Sequence, residues 1–269
     1  MAAETTGDRA DDTAQRGETI LELEGLIKRF GEFAAIDGVD MTVERGEFRS
    51  VIGPNGAGKT TLFNLISGAL PVTSGTVRFD GDDITSMSPE ARVRAGIGRS
   101  FQISNVFGGL SVRENVRLAA QANQQADYSI VQSLFKTTDR YSDINEATDR
   151  TLERVDLADL ADVEANALAY GDRRRLEIGV VLAADPALVL LDEPTAGMSV
   201  EETRETIDLI EEVLVDQTLL LIEHDIELVM ELSDRITVLN RGEVIAEGSP
   251  EGIAADQAVQ DAYLGGVVE

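Results

Sequence analysis

Nine residues, GPNGAGKTT at positions 53–61, carry the clearest chemistry in the chain. They fit the pattern G-x-x-x-x-G-K-[ST]. Glycine reaches backbone conformations closed to other residues. A loop of Gly53, Pro54, Asn55, Gly56, Ala57 and Gly58 can therefore turn successive N–H groups inward, onto phosphate oxygens. A helix starting at Lys59-Thr60-Thr61 adds its N-terminal dipole to that field. Lys59 is then placed to reach the β- and γ-phosphates of a nucleoside triphosphate, and the Thr60 hydroxyl to bind Mg²⁺.

A second run, LVLLDEP at 188–194, is four apolar residues followed by Asp192 and Glu193. A buried strand ending in a carboxylate sets that group beside a phosphate cradle, where it holds Mg²⁺ through water. The next carboxylate polarises the attacking water. Alone, the run reads equally well as an ordinary strand end with solvated acids. The cradle 133 positions upstream (192 − 59) favours the catalytic reading. His224 is the single histidine, and there is no cysteine, so a metal site built on imidazole or thiolate lacks companions. Following the apolar run TLLLIE, His224 is suited to donate to a γ-phosphate. Gln102, in GRSFQ, ends another expected strand, and an amide there can bind Mg²⁺ or the attacking water. By itself it is an unspecific signal.

These groups need elements to hold them. ILELEGLIKRF and VDMTVERGEF alternate like antiparallel strands. FRSVIG is a short apolar strand entering the glycine loop, and KTTLFNLISGAL has helical spacing up to Pro71. TVRFDG is a strand with a turn. Residues 111–165 show no strand pattern and read as a helical insert, through SVRENVRLAAQA and INEATDRTLERVDL. RRRLEIGVVLAA reads as a helix, ALVLLDEP as a buried strand, ETRETIDLIEEVLV as a helix, TLLLIEHD as a strand and IELVMELSD as a helix. RITVLNRGEVIAEG reads as a hairpin turning at Arg241-Gly242. The fold expected is α/β: one domain over 19–265, preceded by a polar, disordered arm at 1–18, with a helical subdomain at about 103–185.

The chain has 269 residues and a net charge of −27, with three lysines (Lys28, Lys59 and Lys136) and twenty arginines (23 − 3). The acids are dispersed. Two readings compete, a partner-facing acidic surface and a protein adapted throughout to high salt; scarce lysine with dispersed acids favours the second. Nucleic acid is not an expected partner, because no basic face is evident. The N-terminus lacks the parts of a secretory signal, and no apolar run approaches the roughly 20 residues that cross a bilayer. Work at a membrane would then be done from one side, held by partners.

The order GPNGAGKTT, FQ, LAYGD with RRRLE, LVLLDEP and IEHD resembles the ATP-binding subunit of ABC transporters over about residues 20–264. The fold this implies is a P-loop ATPase core with an antiparallel β subdomain and a helical subdomain. Within that class, LAYGD in place of Leu-Ser-Gly-Gly-Gln, with LIEHDIELVM, SDRITVLNRGEVIAEG and AYLG, resembles the LivG-type subunit of branched-chain amino-acid importers. The resemblance implies that ATP and Mg²⁺ are bound, with Lys59 and Thr60 on phosphate and metal. Asp192 supports Mg²⁺, Glu193 polarises water and His224 holds the γ-phosphate. Gln102 senses the nucleotide and faces a membrane subunit, and Phe30 stacks on adenine. Leu168, Ala169, Tyr170 and Gly171, with Asp172, meet ATP bound by an opposite ATPase subunit. Implied partners are a second, different ATPase subunit, two permease subunits and an external substrate-binding protein, at the cytoplasmic face of the membrane. Two departures stand out: Ser199 replaces an aspartate common in the wider class, and EIGVV replaces a frequent alanine-arginine pair. The alternatives are another ABC system for lipid or polysaccharide export, or a soluble cluster-assembly ATPase; the latter lacks the LAYGD resemblance.

The high-salt reading is testable on the purified chain. The Debye length shrinks from roughly 30 Å at 0.01 M to about 3 Å at 1 M salt, so self-repulsion fades. The melting temperature should climb from dilute buffer into molar potassium chloride; a flat or falling curve counts against adaptation to salt.

Overall fold

The computed structural model describes residues 17–99, 106–124, 137–215 and 217–264. Gln102 and residues 1–16 of the expected arm lie outside the described residues. In chain order the strands are β1 (Thr19–Phe30), β2 (Phe33–Glu44), β3 (Phe48–Ile52), β4 (Ser74–Phe79), β5 (Asp82–Asp83), β6 (Ile97–Arg99), β7 (Leu188–Asp192), β8 (Thr218–Ile222), β9 (Arg235–Asn240) and β10 (Glu243–Gly248). The helices are α1 (Lys59–Ile66), α2 (Pro89–Arg94), α3 (Val112–Gln124), α4 (Thr137–Arg154), α5 (Tyr170–Leu182), α6 (Val200–Leu214), α7 (Ile226–Leu232), α8 (Pro250–Ala255) and α9 (Gln257–Leu264). The chain divides into two compact units, residues 1–87 with 216–269, and residues 88–215.

In the first unit, β1 and β2 form the expected antiparallel pair, from Thr19 opposite Glu44 to Phe30 opposite Phe33. β4 and then β5 extend this sheet in the order β2-β1-β4-β5. β2 begins at Phe33, well before the expected Val39. Register shifts along β1 break the alternation there, so FAAIDG does not read as a strand although it pairs as one. A second group of strands runs in the order β10-β9-β3-β8, with β3 parallel to both β8 and β9. Every residue of β8 is buried, as a parallel strand covered on both faces requires. β9 and β10 form the expected hairpin: Arg241 and Gly242 both take positive φ, 51° and 87°, the geometry that a two-residue turn needs.

Helices α8 and α9 were not evident in the sequence pattern. Ser249 caps α8, accepting from the Gly252 N–H, with Pro250 in its first turn. Ile253 and Val259 then pack on Ile52, Val229, Ile236 and Val238, beneath the start of the glycine loop.

In the second unit, β6 lies parallel to β7, with Ile97 opposite Leu188 and Arg99 opposite Leu190. The described residues of the 111–165 segment are mainly helical, as expected, and among them the one strand-like contact is an isolated bridge between Ser111 and Glu164. α5 starts at Tyr170, ahead of RRRLEIGVVLAA. The chain leaves it through Asp185, at φ 48°, and Pro186 follows. Ser199 caps α6 reciprocally with Glu202, and the Ser199 backbone and side-chain hydrogen bonds hold the Glu202 carboxyl below its usual range.

One buried charge network in the first unit supports β3. The Arg49 side chain is 1% exposed, with Nε 2.7 Å from Glu47 Oε1 and Nη1 3.1 Å from Glu247 Oε2. Nη1 also donates to Thr237 Oγ1 at 3.2 Å. Arg49→Ala leaves Glu47 buried without this partner, which should lower the unfolding free energy by about 3–5 kcal/mol. Chemical denaturation checks this; a loss below about 1 kcal/mol would mean that the network relaxes onto water.

Candidate functional site

The cradle leaves the C-terminal end of β3. Its first turn is closed by Ala57 N–H donating to Pro54 O at 3.1 Å, and α1 begins with Leu62 N–H on Gly58 O at 2.8 Å. Gly58 sits at φ 107°; a Cβ there would lie 2.5 Å from Ala35 O and 2.9 Å from Ile36 Cδ1. Only glycine fits a left-handed turn pressed this closely onto β2. The β9–β10 turn braces the loop from another side. Gly242 N–H donates to Ala57 O at 2.9 Å, and Gly242 O accepts from Asp37 N–H at 2.9 Å.

Lys59 folds back over this loop. Its ammonium donates to Gly53 O at 2.6 Å and to Pro54 O at 3.3 Å, and the residue is 6% exposed. Asn55, Gly56 and Thr60 are exposed, so the outer face of the loop is open. No acid stands in the first turn of α1. An open nest of N–H groups, a helix N-terminus free of carboxylates, a poised ammonium and an exposed hydroxyl together fit a Mg²⁺-bound polyphosphate.

His224 belongs to the same unit. Val51 pairs with Ile222 across the parallel β3–β8 ladder, so the cradle after Ile52 and the Glu223-His224 pair after Ile222 leave the same sheet edge. Ligands of open α/β sheets bind at that carboxyl edge. His224 is exposed, and its N–H donates to Glu223 Oε2 at 3.0 Å. Asp225 caps α7 by accepting from Glu227 and Leu228 N–H groups, which sets where His224 leaves the strand. Among the described residues no group of three or more His, Cys, Asp or Glu is placed to hold a metal ion by itself. Phe30, half exposed, closes the β1–β2 pair opposite Phe33. The Lys28 ammonium lies 5.1 Å from the Phe30 ring centroid and donates to Pro71 O at 2.6 Å, which steadies the ring without covering it.

In the second unit β7 is wholly buried, down to Asp192 at 5% exposure. Arg99 at the end of β6 meets it, Nη2 to Oδ2 at 2.9 Å. Glu193 follows at φ 48°, a strained backbone for a residue with a side chain, and is only partly buried. Leu168 and Ala169 are extended, and Ala169 is the N-cap of α5 without any side-chain hydrogen bond. Tyr170 is 54% exposed, and a Cβ added at Gly171 would meet nothing within 4 Å. The loop thus offers backbone rather than side chains, as the alanine at 169 implies. Arg174 and Arg175 turn away from Asp172: Arg174 bonds Glu177 Oε2 at 2.6 Å and the Pro194 carbonyl, and Arg175 reaches Val155 O at 3.4 Å.

Two residues at these places, Arg99 and Tyr263, were missed in the sequence, and so was the bond from Arg174 to Pro194. The Arg99–Asp192 pair was invisible because its members lie far apart along the chain, although a buried strand ending in aspartate requires a cation somewhere. Tyr263, on α9, packs against the cluster containing Ile52, and the Gly53 backbone at the mouth of the cradle offsets part of the rise that burial gives its hydroxyl. Its place in AYLG was the available signal.

A family model for the ABC transporter matches residues 36–196. The chain belongs to the ABC transporter family. A model described as the branched-chain amino acid ATP-binding cassette transporter matches residues 243–269, the stretch that includes β10, α8 and α9. The chain is 40% identical to the high-affinity branched-chain amino acid transport ATP-binding protein BraF of Pseudomonas aeruginosa, over 91% of this chain and 98% of that protein. It is 41% identical to the corresponding LivG protein of Escherichia coli, over 92% of this chain and 98% of that protein. Among solved structures, the ADP conformation of an ATP-binding cassette of an ABC transporter superposes with a TM-score of 0.77 at 32% identity, covering 92% of this chain and 99% of that one. The α/β ATPase fold of this ABC protein follows from both lines.

Burial raises the Tyr263 hydroxyl above its ordinary value, opposed by the hydrogen bond from Gly53. A tyrosine raised on folding contributes stability that is full below the unfolded value near 10 and is lost as pH rises through the folded value. Tyr263→Phe should cost about 1 kcal/mol at neutral pH, and that gap should close or reverse above about pH 10. Urea denaturation of both proteins at several pH values checks this; a pH-independent gap would remove the hydroxyl from the account.

Proposed function

We propose that this chain is the ATP-hydrolysing motor subunit of an importer for branched-chain amino acids. The observation that carries this is the joint match of cassette and C-terminal segment. The cradle, carboxylates and histidine are common to any ABC ATPase, whereas residues 243–269 favour the branched-chain class over an exporter or a cluster-assembly ATPase. The working domain is residues 19–265, with its helical subdomain at about 103–185.

Lys59 and the loop Gly53–Gly58 bind the outer phosphates, and Thr60, Asp192 and Gln102 hold Mg²⁺, which neutralises phosphate charge when bound. Glu193 accepts a proton from the attacking water, His224 donates to the γ-phosphate, and Phe30 stacks on adenine. Leu168, Ala169, Tyr170 and Gly171 meet ATP held by a second, different ATPase subunit. Closure of that pair is passed, through the Gln102 region, to two permease subunits fed by an external binding protein. No helix of the described residues is long and apolar enough to cross a membrane, so attachment at the cytoplasmic face rests on those permeases. The charge adapts the surface to high salt and serves no nucleic acid.

The test is ATP turnover in the complex rebuilt with its permeases and stimulated by leucine-loaded binding protein. Glu193→Gln keeps shape but cannot accept a proton, so nucleotide binding should persist while turnover falls about a hundredfold or more. Turnover near wild type would remove Glu193 from catalysis. Lys59→Ala should instead weaken nucleotide binding by about tenfold or more, for a charge-assisted contact of about 1.5–3 kcal/mol.

The loop at 168–171 gives a separate check. Because a Cβ at Gly171 has open space, Gly171→Asp should fold normally yet abolish turnover by placing a carboxylate where the partner's ATP anion sits. Ala169→Ser should change turnover by less than about tenfold, since backbone N–H groups already serve. An active Gly171→Asp complex would mean that this loop does not meet ATP.

A further inference from the structure

Arg174 makes a connection that the reading above does not use. It lies one turn into α5, the helix opened by Ala169 and Tyr170. One arm of its guanidinium is fixed by Glu177 at 2.6 Å, and another donates to the carbonyl of Pro194. Pro194 is the residue after Glu193, and Glu193 already sits at φ 48°. Proline fixes its own φ near −65°, so a pull on its carbonyl is taken up at ψ of Pro194 or passed back to ψ of Glu193. To the extent that the turn beyond resists rotation at Pro194, the displacement reaches ψ of Glu193 and the direction of the Glu193 side chain. The turn beyond is closed by Ala196 N–H on Glu193 O at 3.1 Å and Met198 N–H on Thr195 O at 3.2 Å, which resists movement from that side. Ser199 spends its side chain on Glu202 as the cap of α6.

We propose that Arg174 is a positioning residue that couples the loop at 168–171 to Glu193, and so links the two ATP sites of the ATPase pair. The proposal rests on the function given above. In that function the loop meets the partner's ATP, while Glu193 acts on the ATP held by Lys59. When the loop closes on the partner's nucleotide, the first turns of α5 move as a unit. Arg174 carries that movement to the Pro194 peptide and aims the carboxylate for water attack. Glu177 orients the planar guanidinium towards the Pro194 carbonyl, a two-acceptor geometry that a lysine ammonium meets only in part.

The experiment uses the assembled complex with a wild-type partner subunit, and compares Arg174→Ala, Arg174→Lys and Arg174→Gln. Fluorescent-nucleotide affinity, kcat, KM and the Hill coefficient for ATP are measured, with thermal melting alongside. Arg174→Ala should leave nucleotide affinity within about twofold, lower kcat by about tenfold or more, and bring the Hill coefficient down towards one. Arg174→Lys, which keeps a donor within reach of the Pro194 carbonyl, should recover kcat to within about threefold of wild type. Should the alanine variant fail to assemble, Arg174→Gln carries the same expectation, since its short amide cannot bridge both acceptors. The proposal is overturned by a kcat within about twofold of wild type with unchanged cooperativity, or by a loss shared equally by affinity and kcat. It is overturned too if lysine fails to rescue. Glu193→Gln run in parallel separates the two levels: if it turns over, the function reading fails and the coupling with it. If it is dead while Arg174→Ala is fully active and cooperative, the coupling alone fails.

Discussion

Lys59 is 6% exposed, so its ammonium must find acceptors, and the cradle is organised around the way it finds them. It folds back onto Gly53 O and Pro54 O, the carbonyls of its own loop. That choice requires the loop to curl tightly, and the curl requires Gly58 at φ 107° against Ala35 O. The close approach in turn needs β2 held in place, which Gly242 does by bonding both Asp37 and Ala57. The supports come from different parts of the first unit, β2 and the β9–β10 turn. With these contacts in place, the phosphate binding proposed for Lys59 asks its ammonium to exchange carbonyl acceptors for phosphate oxygens.

The second unit solves the opposite problem. Asp192 is a carboxylate at 5% exposure, and Arg99 meets it at 2.9 Å. A buried carboxylate without a cation would be protonated or would destabilise the strand end. The pair therefore lets a fully apolar strand end in a charge. The next residue, Glu193, is held in left-handed backbone at a cost of about 1–3 kcal/mol, which persists only where the surroundings impose it. Arg174 on the Pro194 carbonyl is one such imposition. Two arginines thus flank the acidic pair, one on a side chain and one on the backbone. Strain and charge are concentrated at Glu193, the residue proposed to act on the attacking water.

Much of this was legible because it is local. The glycine spacing of 53–58, the apolar runs ending at Asp192 and Ile222, and the Arg241-Gly242 turn each carry their own geometry, and each formed where the pattern placed it. What was not legible depended on distant partners. FAAIDG pairs with β1 only through bulges that disrupt alternation. α5 begins at Tyr170 behind Ala169, an N-cap that makes no side-chain hydrogen bond, so ALAYGD gave no start signal of serine or threonine type. Helices α8 and α9 are short and take their stability from packing on Ile236 and Val238 rather than from amphipathic periodicity. Arg99 and Asp192 are 93 positions apart (192 − 99), and no local rule joins them.

The overall charge poses a last constraint. A chain of net charge −27 proposed to bind a polyphosphate cannot rely on its long-range field, which repels the ligand. Attraction must be local, and the distribution of acids shows how that is arranged. Helices α2, α3, α5, α6, α7 and α8 each carry an acidic residue in the first turn, where it favours the helix dipole. α1 carries none. An acid there would stabilise the helix as it does elsewhere and would at the same time fill the place that phosphate needs. At molar salt the screening length of about 3 Å cancels the distant repulsion and leaves hydrogen-bonding contacts of the same length intact. The acidic surface and the anion-binding loop are therefore compatible: salt removes the field that separates protein from ligand, while the contacts that hold the ligand are too short for salt to screen.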